Sequence, residues 1–190
     1  MLKPLNQWSP LALEVLNWAI TVSSVMVCTL ALPLRLPGME LAGIGPNWLL
    51  VWVVAWSVNR SAIQGAVAGL ALGLIQDGMT ALYPTHALGL ALVGILTARL
   101  QKQRFVEEDF ISVALIVFGM AIIAETVMAI QFSLESLIAS GAIASRPLSS
   151  IWLHHQQTVL SSAILSSLWA PVVYYPLKRW WEQLDHTNQV

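Results

Sequence analysis

The 190 residues are 57% hydrophobic and 10% charged, against roughly 25% charged in ordinary soluble domains, so the chain reads as an integral membrane protein. A formal charge of -1 leaves no basic excess to displace counterions from phosphates, which excludes nucleic acid as a partner. A bilayer core of about 30 Å takes ~20 helical residues per crossing, so this length holds five or six crossings in one domain, residues 1–190, with no room for a separate soluble domain.

In chain order, Lys3 precedes an apolar run at 11–32 that is longer than the 7 to 15 residues, roughly, of a signal-peptide core. It is read as a retained helix, closed by Pro33. Cys28, the single cysteine, lies inside it, so no intrachain disulfide forms. Residues 33–46, with Pro37, Gly38 and Gly43, form a loop. Apolar segments at 46–58 and 62–76 flank Asn59, Arg60 and Ser61. One continuous helix would place Arg60 near the bilayer centre at about 3 kcal/mol on insertion scales, whereas two short helices place it in a surface turn. Further helices follow at 86–98, 110–130 and 158–177, the last ending in Tyr174, Tyr175, Trp180 and Trp181 beside Lys178 and Arg179, an aromatic belt fused to positive charge. The stretch 131–157 is expected to be an outside loop carrying one surface helix.

Charge asymmetry decides the count. With six helices and both termini in the cytoplasm, the inside segments hold Lys3, Arg60, Arg99, Lys102, Arg104, Lys178 and Arg179, and the outside loops hold Arg35 and Arg146. That satisfies the positive-inside rule. Five crossings would send the Arg99 to Arg104 cluster outside. The expectation is an all-α, polytopic membrane protein with about six transmembrane helices in one bundle, the short ones needing tilt or protein cover. Glu107, Glu108 and Asp109 read as a solvated cluster beside the basic run.

Gly65, Gly69 and Gly73 recur every four residues and make a smooth groove suited to close helix packing. Ser162, Ser166 and Ala170 make a second small-residue face, and the two faces are candidates to pack on each other. Gln76 and Asp77 follow the first groove directly, and then come Pro84, Gly89 and Gly94. In Gly69, Gly73, Asp77, Pro84, Gly89 and Gly94 the sequence resembles the bacterial rod shape-determining MreD family, whose pattern is Gly-x-x-x-Gly, an apolar run, an Asp, then a loop into a Gly-containing helix. The likeness extends loosely, as a hydropathy profile, over most of the chain.

Asp77 is read as fixing the following loop by accepting backbone N–H groups, with cation binding as the alternative. Glu125 lies inside an apolar helix, where a carboxylate must be protonated, paired or turned to the bundle interior. A structural hydrogen bond is expected, with Gln64, Gln76 and His86 as candidate partners, against a proton or substrate role. Trp48, Trp52 and Trp56 form one aromatic stripe that is expected to face lipid, or alternatively a partner helix. Adjacent His154 and His155 point about 100° apart on a helix and do not suit one metal ion. The sequence shows no catalytic triad context, phosphate loop or helix-borne zinc motif, so no catalytic residue, cofactor or metal is expected.

The resemblance implies a non-enzymatic scaffold of the wall-elongation machinery in the bacterial cytoplasmic membrane. It would sit among membrane lipid, bind the membrane-anchored MreC, and link to MreB and the peptidoglycan synthase. The competing reading is the substrate-binding subunit of an energy-coupling-factor vitamin transporter, with Glu125, His154 and Gln157 lining an outward pocket. An enzyme is the weakest reading, for want of paired reactive groups.

Overall fold

Ser9 opens the first helix by accepting a hydrogen bond from the Ala12 amide at 3.3 Å, and Pro10 follows where its missing N–H has no intrahelical role. The computed structural model describes residues 9–34, 38–41, 43–80, 84–102, 110–138 and 148–188. These form six helices: α1 (Pro10–Ala31), α2 (Trp48–Ser57), α3 (Ala62–Met79), α4 (His86–Lys102), α5 (Phe110–Ile138) and α6 (Leu148–Asn188). The described residues contain no strand, and the chain is an all-α bundle. Among the described residues, four stretches are long and apolar enough to cross a membrane, namely Leu11–Ala31, Ala62–Met79, Phe110–Ser136 and His155–Leu184, while α2 and α4 are shorter apolar helices.

The shortest helix is the hub. At 10 residues, α2 spans about 15 Å, half the hydrocarbon thickness, yet nine of those residues are buried and it touches all five other helices. A helix that is apolar on every side belongs in an interior, and here the protein supplies that interior. The tryptophan stripe therefore differs from expectation: Trp48 (9% exposed) and Trp52 (3%) are buried and face the chain's own bundle, not lipid. Trp48 lies 5.8 Å from Trp169 of α6, Trp52 stacks on the half-buried Trp56 at 5.9 Å, and the Trp52 indole N–H donates to Ser24 Oγ of α1 at 2.9 Å. A uniformly apolar stretch has no periodicity that could distinguish lipid from protein around it.

Between α2 and α3 the chain breaks, as two short helices require. Ser61 and Gln64 form a reciprocal capping box that starts α3 afresh, and the Arg60 guanidinium lies over the Trp56 ring at 5.3 Å. Gln64 is exposed in this role and is no partner for Glu125. Further along, α5 runs to Ile138 rather than ending at 130, and α6 runs over Leu148–Asn188 rather than 158–177. Most of the expected outside loop is thus helix continuous with the spans, and only 139–147 of it lies outside the described residues. Hydropathy marks where a helix leaves the membrane, whereas the backbone ladder stops only where a breaker intervenes, and 131–138 and 148–157 hold neither Gly nor Pro. Pro171 and Pro176 do lie within α6 and do not end it, because in a membrane neighbouring groups re-satisfy the freed carbonyls.

Candidate functional site

The closest approach in the bundle is the seam between α3 and α4. A Cβ placed on Gly65 would overlap the Gly94 carbonyl, one on Gly69 the Leu90 carbonyl, and one on Gly73 the Ala87 Cα. Gly94 in turn faces the Gly65 carbonyl, so the two backbones meet with no side chain between them. On the other side of α4, Gly89 presses on Ala124 of α5, where an added Cβ would stand 3.2 Å from the carbonyl oxygen. The glycine groove therefore seats α4, and not the small-residue face of α6 that the spacing also offers as a partner. That face has its own work: Ser166 and Ala170 are fully buried, and Ser166 Oγ accepts the Asn47 amide at the head of α2 at 2.9 Å.

The seam delivers the end of α3 to the start of α4, and Asp77 ties them. Its Oδ1 accepts the His86 backbone N–H at 2.7 Å and lies 2.7 Å from His86 Nδ1, while Oδ2 accepts the Thr85 hydroxyl at 2.5 Å. Thr85 Oγ1 accepts the Ala87 amide at 3.1 Å. Asp77 and Thr85 together satisfy amides that the first turn of α4 leaves open, and a carboxylate at this end of a helix is favoured by the dipole. From α5, Gln131 grips the same residue on both sides: its Oε1 accepts the Thr85 amide at 3.1 Å and its Nε2 donates to the Thr85 carbonyl at 3.0 Å. The α3–α4 connection is thus held by two helices at once. Asp77 is 4% exposed, which hydrogen bonds to both of its oxygens make tolerable. Gln76 beside it is also buried, and its Oε1 has no partner among the described residues.

Glu125 of α5 lies beside Ser162 of α6 and within electrostatic reach of His86. Of the expected partners Gln64, Gln76 and His86, His86 is nearby, while Ser162, which was not among them, stands beside Glu125. Asp77 and His86 are thus in direct contact, with Glu125 and Ser162 in their neighbourhood, which brings polar side chains of α3, α4, α5 and α6 to one region. Gln157 is exposed, and the side chain of His154 lies outside the described residues, as do Arg104 and the acidic trio at 107–109.

A family model described as the rod shape-determining protein MreD matches residues 13–178. The chain belongs to the MreD family. It is accordingly a rod-shape-determining membrane protein. No curated protein and no solved structure matches it. The span matching MreD runs from within α1 to Lys178 near the end of α6, so the seam and the clamped turn both fall inside it. Five of the six residues that carry the MreD resemblance have a place in this geometry: Gly69, Gly73 and Gly94 in the seam, Gly89 against α5, and Asp77 at the turn. The sixth, Pro84, is buried in that turn.

Sequence reasoning passed over Thr85, Gln131 and Asn47 in this MreD chain. Thr85 carried a readable cue, being a hydroxyl residue immediately before an apolar helix. Gln131 carried none, since its pairing with Thr85 spans 46 positions.

Proposed function

We propose that this MreD family member acts as one non-enzymatic membrane domain, a scaffold subunit of the wall-elongation machinery. In this reading it lies in the bacterial cytoplasmic membrane with both termini in the cytoplasm, surrounded by lipid. It binds an MreC-type membrane-anchored protein and links to MreB and the peptidoglycan synthase. The observation that carries the reading is the use to which Asp77 and Gln131 are put. Each engages both of its side-chain polar atoms in holding the α3–α4 turn, as suits a part whose task is to keep a shape for others to bind. Gly65, Gly69, Gly73, Trp48, Trp52, Trp56, Ser162 and Ser166 are its packing residues, and Gln76, Asp77 and Glu125 its polar ones.

Two experiments test it. Affinity purification from membranes, read by mass spectrometry, is expected to return an MreC-type protein and wall enzymes, while recovery of an ATPase pair instead would point to a transporter. For topology, single cysteines at Lys102 and Ser145 in a Cys28→Ser background are treated with an impermeant thiol reagent on intact cells. Labelling at 145 and not at 102 is expected, and the reverse overturns the six-crossing orientation.

A further inference from the structure

Away from the seam, α1 and α6 stand apart around an open-sided cleft of about 480 Å³, walled by Cys28 and Ala31 of α1 and by Val172, Pro176 and Leu177 of α6, with Trp48 of α2 also lining it. Its lining is apolar. The one hydroxyl in the wall, Ser24, already donates to the Thr21 carbonyl at 2.8 Å and accepts from Trp52, so water would lack the two to four polar partners, roughly, that it needs to settle there. In a bilayer an open-sided apolar cleft is bordered by acyl chains, which need no polar partner and bend to an irregular wall. An unbranched hydrocarbon chain suits such a space better than a partner helix does.

Charge identifies the kind of lipid. Val172, Pro176 and Arg179 follow one another at i, i+4 and i+7, one face of α6, and all three are exposed. The wall of the cleft therefore continues, about one turn further on, into a guanidinium, the group that pairs best with a phosphate. Lys178 beside it is drawn toward Glu182 at 3.7 Å and over Tyr174 at 6.0 Å, leaving Arg179, among the described residues, as the cation in line with the cleft. We propose that the cleft between α1 and α6 binds one acyl chain of an anionic phospholipid whose phosphate is held by Arg179.

The test is native mass spectrometry of the full chain in detergent, with phosphatidylglycerol or phosphatidylcholine of identical acyl chains added. Wild type is expected to retain one phosphatidylglycerol about fivefold better than phosphatidylcholine, the factor one basic residue contributes near an anionic surface. Arg179→Ala, an exposed change that leaves the core alone, is expected to erase the preference, and Ala31→Trp, which fills the cleft, to lower retention of both lipids. Phosphatidylglycerol carrying a photoreactive acyl chain is expected to crosslink to peptides containing Cys28 or Val172 in wild type. Equal retention of the two lipids, a preference that survives Arg179→Ala, or crosslinks confined to other helices overturns the proposal. A second copy of the chain, rather than lipid, lost on Ala31→Trp overturns it in favour of a protein occupant.

Discussion

The two sides of α2 are built on opposite rules. Toward α3 and α4 the chain removes side chains altogether, so that backbones touch at Gly65, Gly69, Gly73 and Gly94, and it locks the end of that contact with Asp77, Thr85 and Gln131. Toward α1 it keeps large side chains and leaves a cleft between α1 and α6, with α6 meeting the head of α2 through the small Ser166. The apolar stretch of α1 is 11% buried, against 33% for α3 and 50% for α6, and α1 rests chiefly on α2. Within a membrane, lipid is as apolar as leucine, so apolar residues alone do not drive helices together. Close backbone contact and interhelical hydrogen bonds do; the direct backbone contacts lie on the α3–α4 side, while the other side is joined by single hydrogen bonds, from Trp52 to Ser24 of α1 and from the Asn47 amide to Ser166 of α6. The α3–α4 seam is where backbones meet directly, and α1 is the span with the least of its surface covered by protein.

The sharpest way to break this contrast is Gly69→Leu. Its side chain meets the Leu90 backbone, which cannot rotate aside, so the cost should sit at or above the upper end of the ~1 to 3 kcal/mol typical of overpacking. A drop in melting temperature and loss of monodisperse protein in detergent are expected, together with failed rescue of rod shape in depleted cells. Gly69→Ala is milder yet still harmful, because even its Cβ falls within the Leu90 carbonyl. Unchanged stability in the leucine variant would remove the seam from the account. Normal stability with lost rescue would make the groove a binding face for another protein.

Asp77→Ala comes next. It strips the acceptor from the His86 amide and the Thr85 hydroxyl in a buried turn, at about 1 to 3 kcal/mol for a stranded buried polar group. Asp77→Asn keeps one acceptor oxygen and should lose less than half as much by thermal melting. Equal losses in the two variants would show that charge, rather than hydrogen-bond geometry, holds the turn. For Glu125, replacement by Leu leaves Ser162 beside an apolar side chain and is expected to cost about 1 kcal/mol, whereas Gln retains the bonding shape and should be nearly silent. A Gln variant that folds normally but fails to restore rod shape would assign Glu125 a role beyond structure.

The smallest effect is expected on the loose side. Val22 and Leu30 of α1 are 53% and 65% exposed, and alanine at either should change the melting temperature by the equivalent of about 0.5 kcal/mol or less, as exposed substitutions do. A larger loss would mean that this face of α1 is covered by protein, and the contrast between the two sides would narrow.

Much of this was legible in the chain. Composition alone required a membrane protein, the Gly65, Gly69 and Gly73 spacing marked a close helix contact, Arg60 with Asn59 and Ser61 marked a helix break, and Asp77 before a loop marked a capping role. These are local signals, set by residues within a few positions of one another, and local physics suffices to read them. What tertiary structure decided is which surface meets which. The groove seats α4 rather than α6, because the hairpin connection brings the next helix back first, and a spacing pattern names a face without naming its partner. The stripe from Trp48 to Trp56 lies inside, because α2 is enclosed by five helices, and apolar side chains satisfy lipid and protein interiors equally. Thr85 and Gln131 meet across 46 positions, and Glu125 stands beside Ser162 of another helix. No periodicity encodes such pairings, since hydrogen bonds between distant residues exist only once packing has brought their helices to the same depth.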